Sequence, residues 1–147
     1  MQRKLGVLES FKDKTFFITG CTGFIGKVLL EKIMRSIPEF RRIYVMVRPK
    51  KGLTLQKRLE DIFKYEVFEP YFTANPHMRD GWREKVMPIG GDLELKGLGL
   101  TDEHRDILLN EVHFVINSAA SVNFDDPILE SLNINYFGAL RMFDIIE

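Results

Sequence analysis

An α/β fold with a doubly wound parallel sheet is what this sequence predicts, and three observations carry that expectation. Phe16, Phe17 and Ile18 form a short apolar run of β-formers that leads into Gly20-x-x-Gly23-x-x-Gly26 and then into an amphipathic stretch, so the glycines fall on a strand-to-helix turn. Further apolar runs recur at 43–47, 86–89 and 112–117, each separated from the next by residues at helical spacing. The chain of 147 residues, 45% hydrophobic and 29% charged, is long enough for one core and excludes disordered and collagen-like classes.

Residues 1–14 read as a polar N-terminal lead in which Val7, Leu8 and Phe11 are docking points. The domain proper is expected over 15–147, with no internal repeat or low-complexity linker. After the glycine turn, Ile25, Val28, Leu29 and Ile33 mark the inner face of a helix, Lys27, Glu31 and Arg35 its outer face, and Pro38 its end. The run 43–47 predicts a second strand buried on both faces. Leu55, Leu59, Ile62, Phe63 and Val67 space out another helix, broken at Pro70, and the piece containing Pro76, Gly81 and Trp82 reads as irregular. Pro88 places the third strand at an edge. Thr101 caps a short helix running to Leu109, and residues 112–117 form the fourth strand. From Ile128 onward, Leu129, Leu132, Ile134, Phe137, Leu140, Phe143 and Ile146 predict one final helix. Alternating strands and helices imply right-handed parallel crossovers, and a glycine-rich first turn implies the Rossmann-like order with the first strand between the second and fourth.

That turn supplies the first functional reading. Gly20 makes the turn, Gly23 lets a diphosphate approach the backbone, and Gly26 lets the helix lie close, while the helix N-terminus offers free N–H groups to phosphate. In this fold the residue ending the second strand chooses the dinucleotide. Arg48 stands there, 22 positions after Gly26, with Lys50 and Lys51 following and no Asp or Glu between Phe40 and Leu59, which favours NADP over NAD. Residues 1–51 hold 12 Lys and Arg against 4 Asp and Glu, and the remainder 9 against 17, a bias that suits a phosphate-rich ligand. Asp92 stands where a carboxylate accepts from an adenine amino group, with Leu93 against the ring, although the pattern equally fits a plain loop aspartate. Ala119 and Ala120 are small enough for backbone and cofactor to approach, and Asn135 lies in the last helix with its amide direction open. No basic and aromatic interleaving points to nucleic acid, no apolar run approaches a membrane span, and one cysteine, Cys21, excludes a disulfide framework and a cysteine-rich metal site.

The chain resembles the fatty acyl-CoA reductases of the extended short-chain dehydrogenase/reductase superfamily. The resemblance runs through Thr19-Gly20-Cys21-Thr22-Gly23-Phe24-Ile25-Gly26-Lys27, Arg48-Pro49-Lys50-Lys51-Gly52, Gly91-Asp92-Leu93, Asn117 to Asp125, and Asn133 to Gly138. It implies reduction of a long-chain fatty acyl-CoA to a fatty alcohol with two NADPH and release of CoA. It implies a diphosphate site at Thr19, Gly20, Gly23, Gly26 and the amides of Phe24 and Ile25, a 2′-phosphate partner in Arg48, and adenine contacts from Asp92 and Leu93. Ala119 and Ala120 then line the nicotinamide ribose, and Asn135 supports a water-linked proton relay to a catalytic lysine. Family members commonly sit at endoplasmic reticulum or peroxisomal membranes, which implies attachment through segments outside this chain. Asn117 departs from the family's usual histidine, and Ala139 stands where threonine is frequent.

The superfamily's proton donor is a tyrosine with a lysine four residues later. Here Tyr44, Tyr65, Tyr71 and Tyr136 are followed at that spacing by Arg48, Glu69, Asn75 and Leu140. The chain is therefore expected to be the N-terminal part of the domain, truncated before that pair, inactive alone and binding cofactor at most. A carrier-bound thioester or carboxylic acid reductase module and a non-catalytic nucleotide-binding module are the competing readings.

Overall fold

The computed structural model describes residues 6–146. One helical turn, α1 (Val7–Ser10), precedes β1 (Thr15–Thr19), α2 (Phe24–Ser36), β2 (Arg42–Val47) and α3 (Leu55–Phe63). Then come α4 (Glu69–Ala74), α5 (Met78–Lys85), β3 (Val86–Gly90), α6 (Asp102–Glu111) and β4 (Phe114–Asn117). The description closes with α7 (Ile128–Leu132), a π-helical turn over Asn133–Phe137, and α8 (Gly138–Ile146).

The four strands form one all-parallel sheet in the order β3-β2-β1-β4, with Phe17 opposite both Tyr44 and Val115. The first strand lies between the second and fourth, as the glycine turn implies, and the order is that of the first half of a doubly wound sheet. Period-two alternation sends β1 side chains to two cores. Phe16 and Ile18 join Leu30, Met34, Phe63 and Trp82 on one face, while Phe17 joins Tyr44, Leu108, Met142 and Ile145 on the other. Phe16, Phe17 and Ile18 are at most 2% exposed, and each contributes about 1.5–3 kcal/mol by leaving water. Pro88 sits on the edge strand β3 opposite Val45, where a missing N–H costs least.

Several elements depart from the expectation. The piece around Pro76 and Trp82 is helical. Pro70 does not break a helix but starts α4, because the first helical turn needs no N–H from it. Trp82, 2% exposed, stacks on Phe63 with ring centroids 4.1 Å apart and anchors α5, a tertiary contact that local periodicity does not show. In the lead, Val7 and Leu8 are exposed, and Phe11 alone of the three docks, against Phe16 and Phe114.

α2 is rotated from its expected phase. Ile25 and Val28 face outward, whereas Lys27 and Glu31, expected in solvent, are 8% and 7% exposed. The close seat of Gly26 fixes the rotation. The Lys27 ammonium then reaches the Thr22 carbonyl at 2.7 Å and lies 3.8 Å from the centre of the Tyr65 ring, while Glu31 accepts from Arg35. The last helix is likewise shifted, because the π turn inserts a residue into the helical period. Met142 and Ile145 turn inward, whereas Leu129, Leu132, Phe137, Leu140 and Phe143 stay exposed. The side chain of Ile146 lies outside the described residues.

Candidate functional site

The carboxyl ends of the strands surround a cleft of about 350 Å³, at the point between β1 and β4 where the strand order reverses. Gly20, Gly23, Arg48, Asp92, Leu93 and Ala119 all line it, and Ala120 joins them.

Its floor is the turn after β1. Gly20 has φ +78°, and a Cβ there would meet the Ala119 nitrogen at 2.7 Å; at Gly26 a Cβ would stand 2.2 Å from the Gly20 carbonyl oxygen. The turn is therefore closed from both sides by backbone, and only glycine fits either position. Gly23 is the extended N-cap of α2, with no side-chain cap and no acidic residue in the first turn, so the helix's positive end stays open to an anion. Phe24 and Ile25, the first two residues of α2, carry their amides at that end and expose their side chains, 82% and 71%.

The wall beyond β2 carries charge. The Arg48 guanidinium pairs with Asp92 at 3.1 Å through Nε and with Glu94 at 3.1 Å through Nη2. Arg58 of α3 donates to the Arg48 carbonyl and holds its backbone. Asp92 is fixed in turn, since its carboxylate accepts from the Glu94 N–H at 3.0 Å and its own N–H donates to Leu98. Leu93 is 3% exposed and belongs to the core beneath the cleft as well as to its lining.

The opposite wall follows β4. Thr19 is fully buried below the cleft. Its hydroxyl donates to the Asn117 side chain and accepts from the Ala119 N–H, and its carbonyl accepts from the Ser118 hydroxyl at 2.7 Å. Thr19 thus holds the small residues of the β4 loop in place from underneath. Asn135 sits in the π turn, and its amide is committed to the backbone of Ser121, donating to the carbonyl at 2.9 Å and accepting from the N–H at 2.8 Å. This clasp ties the last helix to the loop that lines the cleft.

Sequence reasoning missed Glu94, Met46, Ser121 and Ile134, all of them at the cleft or its edge, and also Arg141. Arg141 donates to the carbonyls of Leu93 and Asn133 and to the Asn133 side chain, fixing the loop after β3 on the π turn. A second carboxylate two residues after Asp92 was a usable signal for Glu94, because a tight turn, in which the Leu95 N–H donates to the Asp92 carbonyl, keeps both acids at the end of the strand. Arg141 had none. Burial pushes the Cys21 thiol up to about 12, so it is no nucleophile here. No group of metal-ligating side chains occurs among the described residues.

Comparison with known proteins locates this geometry. Residues 18–147 match the family of NAD-binding domains described as male sterility protein. Fatty acyl-CoA reductase wat of Drosophila melanogaster is 38% identical over 137 residues, which cover 93% of this chain and 26% of that protein. Fatty acyl-CoA reductase 1 of Mus musculus is 34% identical over 138 residues, 94% of this chain and 26% of the other. The solved terminal R domain from the myxalamid PKS-NRPS biosynthetic pathway superposes with a TM-score of 0.71 at 29% identity, over 91% of this chain and 31% of that one. The chain spans about a quarter of the length of the curated relatives it matches.

Proposed function

The chain belongs to the male sterility protein family of NAD-binding domains, and from that premise we propose that it is the NADPH-binding N-terminal part of a fatty acyl-CoA reductase. The observation that carries this reading is Arg48 at the rim of a cleft whose floor is the glycine turn. The groups present fit the cofactor. A backbone cradle that Gly20 and Gly26 keep free of Cβ atoms suits a diphosphate, and Arg48 suits a 2′-phosphate. Asp92 and Leu93 take the adenine end, Ala119 and Ala120 the nicotinamide ribose, and bound NADPH supplies hydride. Thr19 serves by holding the Ser118 hydroxyl and the Ala119 N–H, and Phe24 and Ile25 by their amides.

The full-length protein then reduces a long-chain fatty acyl-CoA to the aldehyde and on to the fatty alcohol, consuming two NADPH and releasing CoA as a thiol. Asn135 organises the proton relay through its clasp on Ser121. The tyrosine and lysine of proton transfer are supplied by sequence outside residues 15–147, as is attachment to an endoplasmic reticulum or peroxisomal membrane with the enzyme on the cytosolic side. No helix among the described residues is long and apolar enough to cross a membrane.

The likeness to the R domain supports a second reading, reduction of a carrier-bound thioester. The assay that separates them offers the full-length protein palmitoyl-CoA and follows NADPH oxidation and free thiol together. Two NADPH oxidised per thiol released is the expected result, with no steady oxidation by the 147-residue chain alone. Turnover by the isolated chain, or none by the full-length protein until the acyl group is placed on a carrier, overturns it.

A further inference from the structure

Arg48, the residue that would receive a 2′-phosphate, does not meet the cleft as a bare cation. Its Nε and Nη2, the edge that an oxyanion takes side-on in a bidentate pair, are both engaged by carboxylates of one loop, Asp92 and Glu94. The two acids are not equivalent. The Asp92 side chain is 17% exposed and is locked by the Glu94 N–H, whereas the Glu94 side chain is 33% exposed and, among the described residues, pairs with Arg48 alone. Glu94 is therefore the partner that can leave.

A dianionic phosphate arriving at Arg48 meets the Glu94 carboxylate on the same nitrogen. It must displace that side chain or bind beside a like charge, and either course weakens it; an adenosine with a free 2′-hydroxyl brings no charge to the contest. We propose that Glu94 is an internal competitor for Arg48 that sets how strongly the cleft prefers a 2′-phosphorylated adenosine. The proposal rests on assigning the cleft to NADPH. It makes cofactor preference a balance between one arginine and the acid that holds it, with Asp92 as the fixed hinge.

The test is isothermal titration of the chain with 2′,5′-ADP and with 5′-AMP, for wild type, Glu94→Gln and Arg48→Ala, at low and at moderate salt, each variant checked for folding by circular dichroism. Glu94→Gln keeps the shape and removes the charge, so the ratio of the 5′-AMP to the 2′,5′-ADP dissociation constant should rise about five- to tenfold, and that gain should shrink as salt screens it. Arg48→Ala should collapse the ratio toward one. If Arg48→Ala weakens 2′,5′-ADP while Glu94→Gln leaves the ratio unchanged or lowers it, Glu94 supports Arg48 instead of competing for it, and the proposal is overturned. If Arg48→Ala leaves 2′,5′-ADP binding as in wild type, the NADPH assignment itself fails.

Discussion

Gly26 carries the tightest steric constraint in the cleft. A methyl group there would stand 2.2 Å from the Gly20 carbonyl oxygen, a contact that backbone on both sides cannot relieve, so Gly26→Ala should cost about 2 kcal/mol, a fall in Tm of roughly 4–8 °C. Thermal unfolding checks it, and a Tm equal to wild type shows that the helix does not sit on the turn as described. The role of this glycine was legible in the sequence because Gly20-x-x-Gly23-x-x-Gly26 falls on a strand-to-helix turn, where the last glycine lets the helix lie close. The engagement of the Arg48 guanidinium was not, because its carboxylate partners lie more than forty residues away in the chain and arrive only through the β2–β3 pairing. Cys21 has a folded pKa of about 12 against an ordinary 9.0, because burial disfavours the thiolate. The folded state therefore keeps a proton that the unfolded state releases, so stability should fall as pH rises above about 9. At pH 8 a thiol reagent should label the chain only after denaturant is added; prompt labelling of the native protein contradicts that burial.

The elements show where pattern reading works and where packing overrides it. β1 and β2 were readable because strands buried on both faces are plain apolar runs, β3 because a proline marks an edge, and β4 because Phe114, Val115 and Ile116 are a run of β-formers although the strand is only partly buried at the other edge. α4 and α5 were not, since Pro70, Pro76 and Gly81 read as breakers, while the residues that hold these helices, Phe68, Phe72 and Trp82, meet Phe63 from different turns. Trp82 is the single tryptophan, so its emission reports this cluster directly. The native spectrum should be blue-shifted and move red on unfolding, and Trp82→Ala should cost about 3–5 kcal/mol. A solvent-like native emission maximum would place α5 outside the core. The rotations of α2 and α8 have one origin: a glycine seat and a π turn, each a single-residue event, decide which side of an amphipathic stretch faces in.

The whole molecule is a parallel sheet with both faces covered and a cleft at the ends of its strands. An unpaired strand edge and an apolar helix face are among the surfaces left open. β4 is paired on one side only, and Leu129, Phe137 and Phe143 lie open on the last helix. Unpaired edges and apolar patches drive association, so the isolated chain should self-associate at micromolar concentration in light scattering, and a monodisperse monomer would contradict this. The sheet order and glycine turn were legible because they rest on local patterns, whereas the clasp of Asn135 on Ser121 and the hold of Arg141 on Leu93 depend on how the last helix docks. The most direct test of the central claim is calorimetric titration of the chain with NADPH and NADH in parallel. NADPH should bind more tightly by at least about tenfold, and Arg48→Ala should erase the difference. Equal affinity for the two cofactors in the wild-type chain, or binding of neither, would contradict the assignment of this cleft to NADPH.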